Sequence, residues 1–199
     1  MTKFLAIDTS SKYLTVLAVN GEKQILRYLS DCALKHSVVL MDEVDKALKE
    51  AGLAPEECDF FAAVTGPGSF TGIRIGISTV KGFAVATDKP LVSVTAFELL
   101  AYNIEDDNFY TVIDAAHSHY YACGFDRDKK VILNPSYLSE EEVQKLGKLY
   151  GFEDLPLKSY QKLEIEKCLY PAVIKKSACT SQRMEALYVR KSQAEENRK

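Results

Sequence analysis

A glycine-rich stretch, GPGSFTGIRIG at 66–76, is the part of the sequence best suited to bind a ligand. It lies between an apolar run typical of a buried strand and an apolar run with helical spacing. A glycine-rich turn at a helix start offers free backbone N–H groups and the positive end of the helix dipole, which together bind anions. The candidate ligand residues are Gly66, Gly68, Ser69 and Thr71, with Asp8 from the first predicted strand.

Neither common phosphate-binding motif fits this stretch. A P-loop requires Gly-Lys followed by Ser or Thr, and a dinucleotide-binding loop requires a third glycine where this chain has Thr71. The alternative is that the glycines permit tight turning and close packing. Two small-residue ridges follow on the helix, Gly72 with Gly76, and Ser78 with Gly82 and Ala86. The sequence favours packing, and the lone charge of Arg74 must then reach solvent, a carboxylate or a ligand.

Two aspartates end predicted strands at equivalent places in the two halves of the chain. Asp8 ends FLAID, and Asp114 ends the similar run YTVID. Such aspartates could orient a metal ion or a water molecule in a duplicated nucleotide-binding fold. An Asx turn, in which the carboxylate accepts a local backbone N–H, is the commoner role and is the one that we favour.

The three histidines suggest no complete metal site. His117 and His119 are predicted to share one face of a strand, which would allow two ligands, but a third would have to come from elsewhere. His36 begins a predicted helix, and the H-E-x-x-H motif of zinc peptidases is absent from the sequence. We therefore assign no metal ligand and no catalytic residue.

Composition narrows the class of protein. The 199 residues are 47% hydrophobic and 27% charged, which is typical of a folded domain. The net charge of -3 gives no basic footprint for nucleic acid. Five cysteines without a C-x-x-C pair indicate reduced thiols. No segment approaches the ~18 apolar residues of a membrane span, and Asp8 interrupts the first apolar run, so we expect a cytoplasmic protein.

Hydrophobic spacing predicts an α/β fold in two similar halves. The first half reads β-β-β-α-β-α-β-α, with strands at 4–8, 13–19, 24–30, 59–65 and 91–94 and helices at 36–51, 72–86 and 95–103. Asn20-Gly21 predicts a hairpin between the second and third strands. The second half repeats the opening pattern at 110–122, and its EEEVQKLGKLY run at 140–150 is predicted to be a helix capped by Ser139.

These residues carry a resemblance to a known family. AIDTSS, HSVVLMDEVDKAL, DFFAAVTGPGSFTGIRIG, VIDAAHSHYYACGF and ALYVRKSQAE closely resemble the bacterial TsaB family, also called YeaZ. The resemblance implies the duplicated actin, Hsp70 and sugar-kinase (ASKHA) α/β fold. We expect an N-terminal lobe at 1–104, a smaller C-terminal lobe at 105–190 and a polar tail at 191–199.

The resemblance also implies a role in tRNA modification. Such proteins act as non-catalytic partners of the threonylcarbamoyl transferase TsaD, together with the ATPase TsaE, and pair with themselves when TsaD is absent. The assembly forms N6-threonylcarbamoyladenosine in tRNAs that read ANN codons, so this chain would meet tRNA only through the complex. We expect no cofactor of its own, with ATP or ADP held at the subunit joint or by the partners, and no membrane.

The resemblance places the partner interface on the helices after His36 and after Gly72. The predicted interface residues are Met41, Val44, Leu48, Gly72, Arg74, Ile75, Gly76, Thr79, Val80 and Phe83. Two other functions stay open at this point. The chain could be an ATPase or phosphotransferase of the same superfamily, or a glycoprotease-like peptidase.

Overall fold

Two five-stranded mixed sheets form the framework of the protein, which we describe over residues 1–190 of a computed structural model. The predicted tail at 191–199 lies outside the described residues. The first sheet and its helices are β1 (Lys3–Asp8), β2 (Leu14–Asn20), β3 (Lys23–Leu29), α1 (His36–Ala51), β4 (Phe60–Val64), α2 (Phe70–Thr87), β5 (Leu91–Val94) and α3 (Ala96–Ala101). The second half contains β6 (Phe109–Asp114), β7 (His119–Phe125), β8 (Val131–Ser139), α4 (Glu140–Val143), β9 (Lys148–Gly151), β10 (Tyr160–Lys162) and α5 (Leu169–Lys176).

The two sheets have the same strand order, which confirms the predicted duplication. The order is β3-β2-β1-β4-β5 in the first sheet and β8-β7-β6-β9-β10 in the second. In each sheet the first strand pairs antiparallel with the second and parallel with the fourth. The predicted β-β-β-α-β-α-β-α order of the first half is confirmed, whereas the second half has no helix between β9 and β10.

Both faces of the first sheet are covered by apolar packing. One cluster of buried residues, which includes Leu40 of α1 and Ile77 of α2, covers one face. A second cluster covers the other face and joins the two halves, because it contains Phe4, Phe109 and Leu169 of α5. The sheets are therefore held together by one continuous core, into which the last helix of the described chain packs.

The predicted helix over 140–150 is wrong beyond its first turn. Ser139 caps α4 as predicted, since its hydroxyl accepts the backbone N–H of Glu142 and the Glu142 carboxylate accepts the backbone N–H of Ser139. The helix ends at Val143, and Leu149 and Tyr150 instead lie in β9, parallel to β6. A glycine just before β9 favours this break, and the strand pairing buries both side chains in the sheet.

Helix α1 is confirmed, but part of its predicted apolar face points outward. Val38 and Met41 are 74% and 53% exposed. The buried face instead begins at His36, whose Nε2 donates to the carbonyl oxygen of Tyr13 at 2.8 Å. A polar side chain therefore takes one of the buried positions, and two apolar side chains are left facing solvent.

Glu43 attaches α1 to β3 and gives a pH-dependent test of that contact. Hydrogen bonds from Lys46 and Arg27, at 2.7 and 2.9 Å, lower the pKa of the buried Glu43 carboxyl. A lowered carboxyl pKa stabilises the fold above the unfolded value of about 4.3, and the effect is lost as pH falls through the folded value. Glu43→Gln should cost about 1 kcal/mol of unfolding free energy at pH 7 and progressively less below pH ~4 in urea titrations. Glu50→Gln, at a side chain that is 56% exposed, should change stability little, and equal losses would contradict this account.

Candidate functional site

The glycine loop packs against the turn between β1 and β2. A Cβ placed on Gly68 would lie 2.1 Å from the carbonyl oxygen of Ser10, and the backbone N–H of Ser69 donates to that same oxygen at 2.7 Å. The peptide bond between Gly66 and Pro67 is cis, and Gly66 has a φ of 99°. A side chain at Gly68 would therefore push the loop away from the turn, which explains why glycine is required there.

Much of the hydrogen-bonding capacity of the loop is used within the chain. The backbone N–H of Gly72 donates to the Ser69 hydroxyl, and that of Ile73 to the Ser69 carbonyl oxygen. The carbonyl oxygen of Gly66 accepts the N–H of Ala96. These contacts support the packing interpretation, and the loop as an anion site stays a prediction.

Asp8 lies at the end of β1 with both carboxylate oxygens engaged. Its Oδ1 accepts the backbone N–H of Ser10 at 2.8 Å, which is the predicted Asx geometry, and its Oδ2 accepts the Tyr13 hydroxyl at 2.7 Å. Burial raises the pKa of the Asp8 carboxyl, while the bonds from Tyr13 and Ser10 act in the opposite direction. Burial and the charge of Asp8 raise the pKa of Tyr13 well above its usual value. The chain itself thus supplies the donors that a ligand would otherwise offer.

Asp114 repeats this geometry at the end of β6. Its Oδ1 accepts the backbone N–H of Ala116 at 2.8 Å, so the Asx interpretation holds in both halves. Its own backbone N–H donates to the Glu153 carboxylate at 2.7 Å. Burial raises the pKa of the Glu153 carboxyl, and the neighbouring charge of Asp114 acts in the same direction. Glu153 was not predicted from the sequence, because it follows β9 and nothing in its local pattern marks it.

The predicted common strand face for the two neighbouring histidines is wrong. Ala116, His117 and Ser118 form a turn with φ values of 62°, 54° and 56°, so His117 precedes the strand. His119 begins β7, where its Nδ1 donates to the His117 carbonyl oxygen and its ring stacks on Tyr137. Among the described residues, no group of three or more histidine, cysteine or acidic side chains could hold a metal ion.

A cleft of about 510 Å³ lies between the ends of β2 and β3 and the ends of β9 and β10. Tyr13 and Phe152 meet edge to face across it, with ring centroids 5.4 Å apart. Its charged lining residues are Lys12, Glu153, Asp154, Lys162, Glu164 and Glu166. Carboxylates outnumber lysines in this cleft, and Lys162 is already paired with Asp154 at 2.7 Å. The cleft is therefore poorly suited to bind a polyphosphate.

The bond between Tyr13 and Asp8 predicts a specific loss of stability. Tyr13→Phe should cost about 1–3 kcal/mol of unfolding free energy at pH 7, because one buried carboxylate oxygen loses its donor. The loss should shrink as pH falls and Asp8 becomes protonated, since the variant raises the pKa of Asp8 further. Urea denaturation across pH measures both effects. Tyr28→Phe, on the same cleft, is the control, and an equal loss in that variant would exclude this explanation.

The two small-residue ridges of α2 point in opposite directions. Gly72 and Gly76 face the chain's own first strand, where their Cβ atoms would lie 2.0 Å and 2.5 Å from the carbonyl oxygen and Oγ1 of Thr9. Ser78 and Gly82 are exposed, and a Cβ on Gly82 would meet nothing within 4 Å. The first ridge therefore serves internal packing, and only the second is accessible to another molecule.

The predicted interface residues divide into three groups. Gly72, Gly76 and Val80 are buried in the chain's own core. Arg74 is exposed on α2, and Ile75 and Thr79 beside it are half-buried. The other four line a groove of about 380 Å³ between α1 and α2. Met41 is exposed and Phe83 half-buried there, whereas Val44 and Leu48 are buried. The interface itself stays a prediction.

An exposed surface runs over α1 and α2 on the side away from the sheet. We call it the outer helix face, and its members are Val38, Met41, Ser78, Gly82 and Val85. Val85 is 85% exposed. Exposed apolar side chains and small residues on two helices that cover the same face of a sheet are typical of a contact surface, because they allow a partner helix to approach closely.

Comparison with known proteins agrees with the fold. A family model described as TsaD, tRNA N6-adenosine threonylcarbamoyltransferase, matches residues 30–189. A curated TsaB, described as a tRNA threonylcarbamoyladenosine biosynthesis protein, from Bacillus subtilis (strain 168) is 35% identical over 99 residues, which are 50% of this chain and 43% of that protein. The chain belongs to this TsaD family, and within it to the TsaB (YeaZ) family.

Further TsaB relatives and a solved structure extend the comparison. The TsaB of Haemophilus influenzae is 32% identical over 130 residues, which are 63% of this chain and 54% of that protein. The chain thus spans about half the length of these two curated TsaB relatives. A crystal structure from Pseudomonas aeruginosa, described as similar to peptidase YEAZ, superposes with a TM-score of 0.79 at 23% identity and covers 96% of this chain and 100% of that one. The chain therefore has the duplicated, two-lobed ASKHA-like α/β fold.

Within residues 1–190, every helix is too short or too polar to cross a bilayer.

Proposed function

We propose that this chain is the non-catalytic activating partner of a TsaD-like transferase. The reaction is the formation of N6-threonylcarbamoyladenosine in tRNAs that read ANN codons. The names of the TsaB relatives support the pathway, and the outer helix face carries the partner role. On that face Val38 and Met41 of α1 and the small-residue ridge of α2 are exposed, and binding of a partner would remove this apolar surface from water.

The cleft supports a role without catalysis. Both oxygens of Asp8 are held by donors of the same chain, and the charges around the cleft are mainly negative. A phosphotransferase needs free carboxylate oxygens for a metal ion and cationic groups for phosphate. In this proposal the partner therefore binds the groove between α1 and α2 and the outer helix face, rather than the cleft.

The other parts of the proposal concern partners and location. A TsaE-like ATPase completes the assembly, the chain forms a homodimer when the TsaD-like enzyme is absent, and tRNA is reached through the complex. The chain binds no cofactor of its own, and it acts in the cytoplasm. The chain comprises an N-terminal lobe at 1–104 and a smaller C-terminal lobe at 105–190.

Association is the experiment that tests this role. Purified chain mixed with the cognate TsaD-like transferase should elute as a 1:1 heterodimer by size-exclusion chromatography with light scattering. The same chain alone should hydrolyse no ATP above the rate of an Asp8→Ala control. Separate elution of the two proteins would contradict the partner role, and ATP turnover abolished by Asp8→Ala would favour the phosphotransferase alternative.

A further inference from the structure

Arg74 is held flat against an aromatic pair at the start of α2. Its Cζ lies 3.7 Å from the centroid of the Phe70 ring, and its Nε donates to the Tyr188 hydroxyl at 3.0 Å. The rings of Phe70 and Tyr188 stack on each other with centroids 5.0 Å apart. The guanidinium is therefore held by a ring contact and a hydrogen bond, unlike that of an ordinary surface arginine.

The partner of Arg74 comes from the far end of the chain. Tyr188 follows Leu187, whose backbone N–H donates to the carbonyl oxygen of Thr65 at 2.8 Å, just before the glycine loop. Upstream, Ser181 forms two backbone hydrogen bonds with Leu91 at the edge of the first sheet. These bonds hold the 181–188 segment along β5 and the loop, which places the Tyr188 hydroxyl next to Arg74.

The guanidinium still has donors to offer. Within residues 1–190, the Tyr188 contact on Nε is the hydrogen bond that Arg74 makes, and no acidic side chain there forms an ion pair with it. An arginine whose rotamer is already fixed loses little conformational entropy on binding a carboxylate or phosphate in bidentate geometry. Arg74 thus has the properties of a preorganised anion-binding group.

Its position indicates which anion it meets. Arg74 lies one turn before Ser78 and two turns before Gly82 on α2, so it is at the head of the exposed ridge that belongs to the outer helix face. A protein that covers this ridge brings its own side chains over Arg74. The net charge of -3 and the absence of any basic stretch on α2 argue for a protein carboxylate rather than an RNA phosphate.

We propose that Arg74 is the charged anchor of the outer helix face, where it binds a carboxylate of the TsaD-like partner, with Tyr188 as the residue that positions it. This inference rests on the proposed partner role. It adds a specific recognition contact to an otherwise apolar surface, and such contacts determine which partner is accepted more than they raise affinity.

The experiment compares four variants of the full chain for affinity to the cognate TsaD-like transferase at low and high salt. Arg74→Ala and Arg74→Lys should each weaken binding by at least about tenfold, because lysine lacks the planar fork. Tyr188→Phe keeps the ring but loses the bond to Nε, and should weaken binding by about threefold. Arg183→Ala removes one positive charge from the exposed segment that carries Tyr188, and this variant should bind with unchanged affinity.

Two readouts separate an anchor from a merely structural residue. The salt dependence of binding should become shallower in Arg74→Ala. Tyr188→Phe should have no further effect in an Arg74→Ala background, because the tyrosine acts through the arginine. Thermal melts of all variants should match the wild-type chain within about 2 °C, since Arg74 is exposed.

The outcomes distinguish this inference from the proposed function. If the wild-type chain binds the transferase and Arg74→Ala binds it with the same affinity, the anchor role of Arg74 is overturned and the partner role remains. Failure of the wild-type chain to bind the transferase overturns both. Unchanged transferase binding with weaker tRNA binding in Arg74→Ala, measured by fluorescence anisotropy, would assign the arginine to RNA and overturn the carboxylate.

Discussion

Replacing Gly72 with alanine should destabilise the chain by about 3 kcal/mol or more. The added Cβ would lie 2.0 Å from the backbone carbonyl oxygen of Thr9, and the Thr9 hydroxyl also donates to the Gly72 carbonyl oxygen at 2.7 Å. Neither backbone can retreat without separating α2 from β1, and overpacking of this kind costs about 1–3 kcal/mol or more. Urea denaturation followed by circular dichroism measures the loss.

Gly82→Ala is the matched control for this prediction. It lies ten residues further along the same helix, where an added Cβ meets nothing within 4 Å. Alanine is the better helix former by about 1 kcal/mol, so this variant should be slightly more stable than the wild-type chain. If the two alanine variants had equal stability, the close contact between α2 and β1 would not exist as described.

The same control site gives the second large effect, on partner binding. Gly82→Trp places a bulky ring on the exposed ridge without touching the core. If the ridge is where a partner helix packs, affinity for the TsaD-like transferase should fall at least about 100-fold, equivalent to about 2.7 kcal/mol. Isothermal titration calorimetry measures the change.

Gly147→Trp, at an exposed glycine just before β9, controls for the effect of an added surface tryptophan. That variant should bind like the wild-type chain. Equal affinity of the Gly82 variant and the wild-type chain would place the partner surface elsewhere on the molecule. A substitution at Gly76 cannot make this test, because its Cβ would meet the Thr9 hydroxyl in the chain's own core.

Much of the fold could be predicted because its signals are local. The hairpin signal at Asn20-Gly21 gives β2 and β3, which are joined by the two residues after Asn20. Helix α1 follows from its 3.6-residue spacing, and Gly52 ends it in a left-handed conformation. The strand after α4 was missed because the apolar residues in the QKLGKLY run fit a helix as well as a strand, and only pairing with β6 decides between them.

The candidate sites were harder to predict, because they depend on contacts that are distant in sequence. Helix α2 is apolar on most of its circumference, so its spacing does not show that Gly72 faces inward and Gly82 outward. The partner of Arg74 is Tyr188, 114 residues away. Glu153 likewise meets Asp114 only through the pairing of β6 with β9. No local pattern carries this information.

Threonylcarbamoyl transfer to tRNA is the measurement that tests the central proposal most directly. The cognate TsaD-like enzyme is assayed with a TsaE-like ATPase, with this chain added or withheld, and with Gly82→Trp in its place. We expect transfer to depend on the wild-type chain, to be weak with Gly82→Trp at the same concentration, and to be absent with the chain alone. Transfer at the same rate without this chain would contradict the activating role.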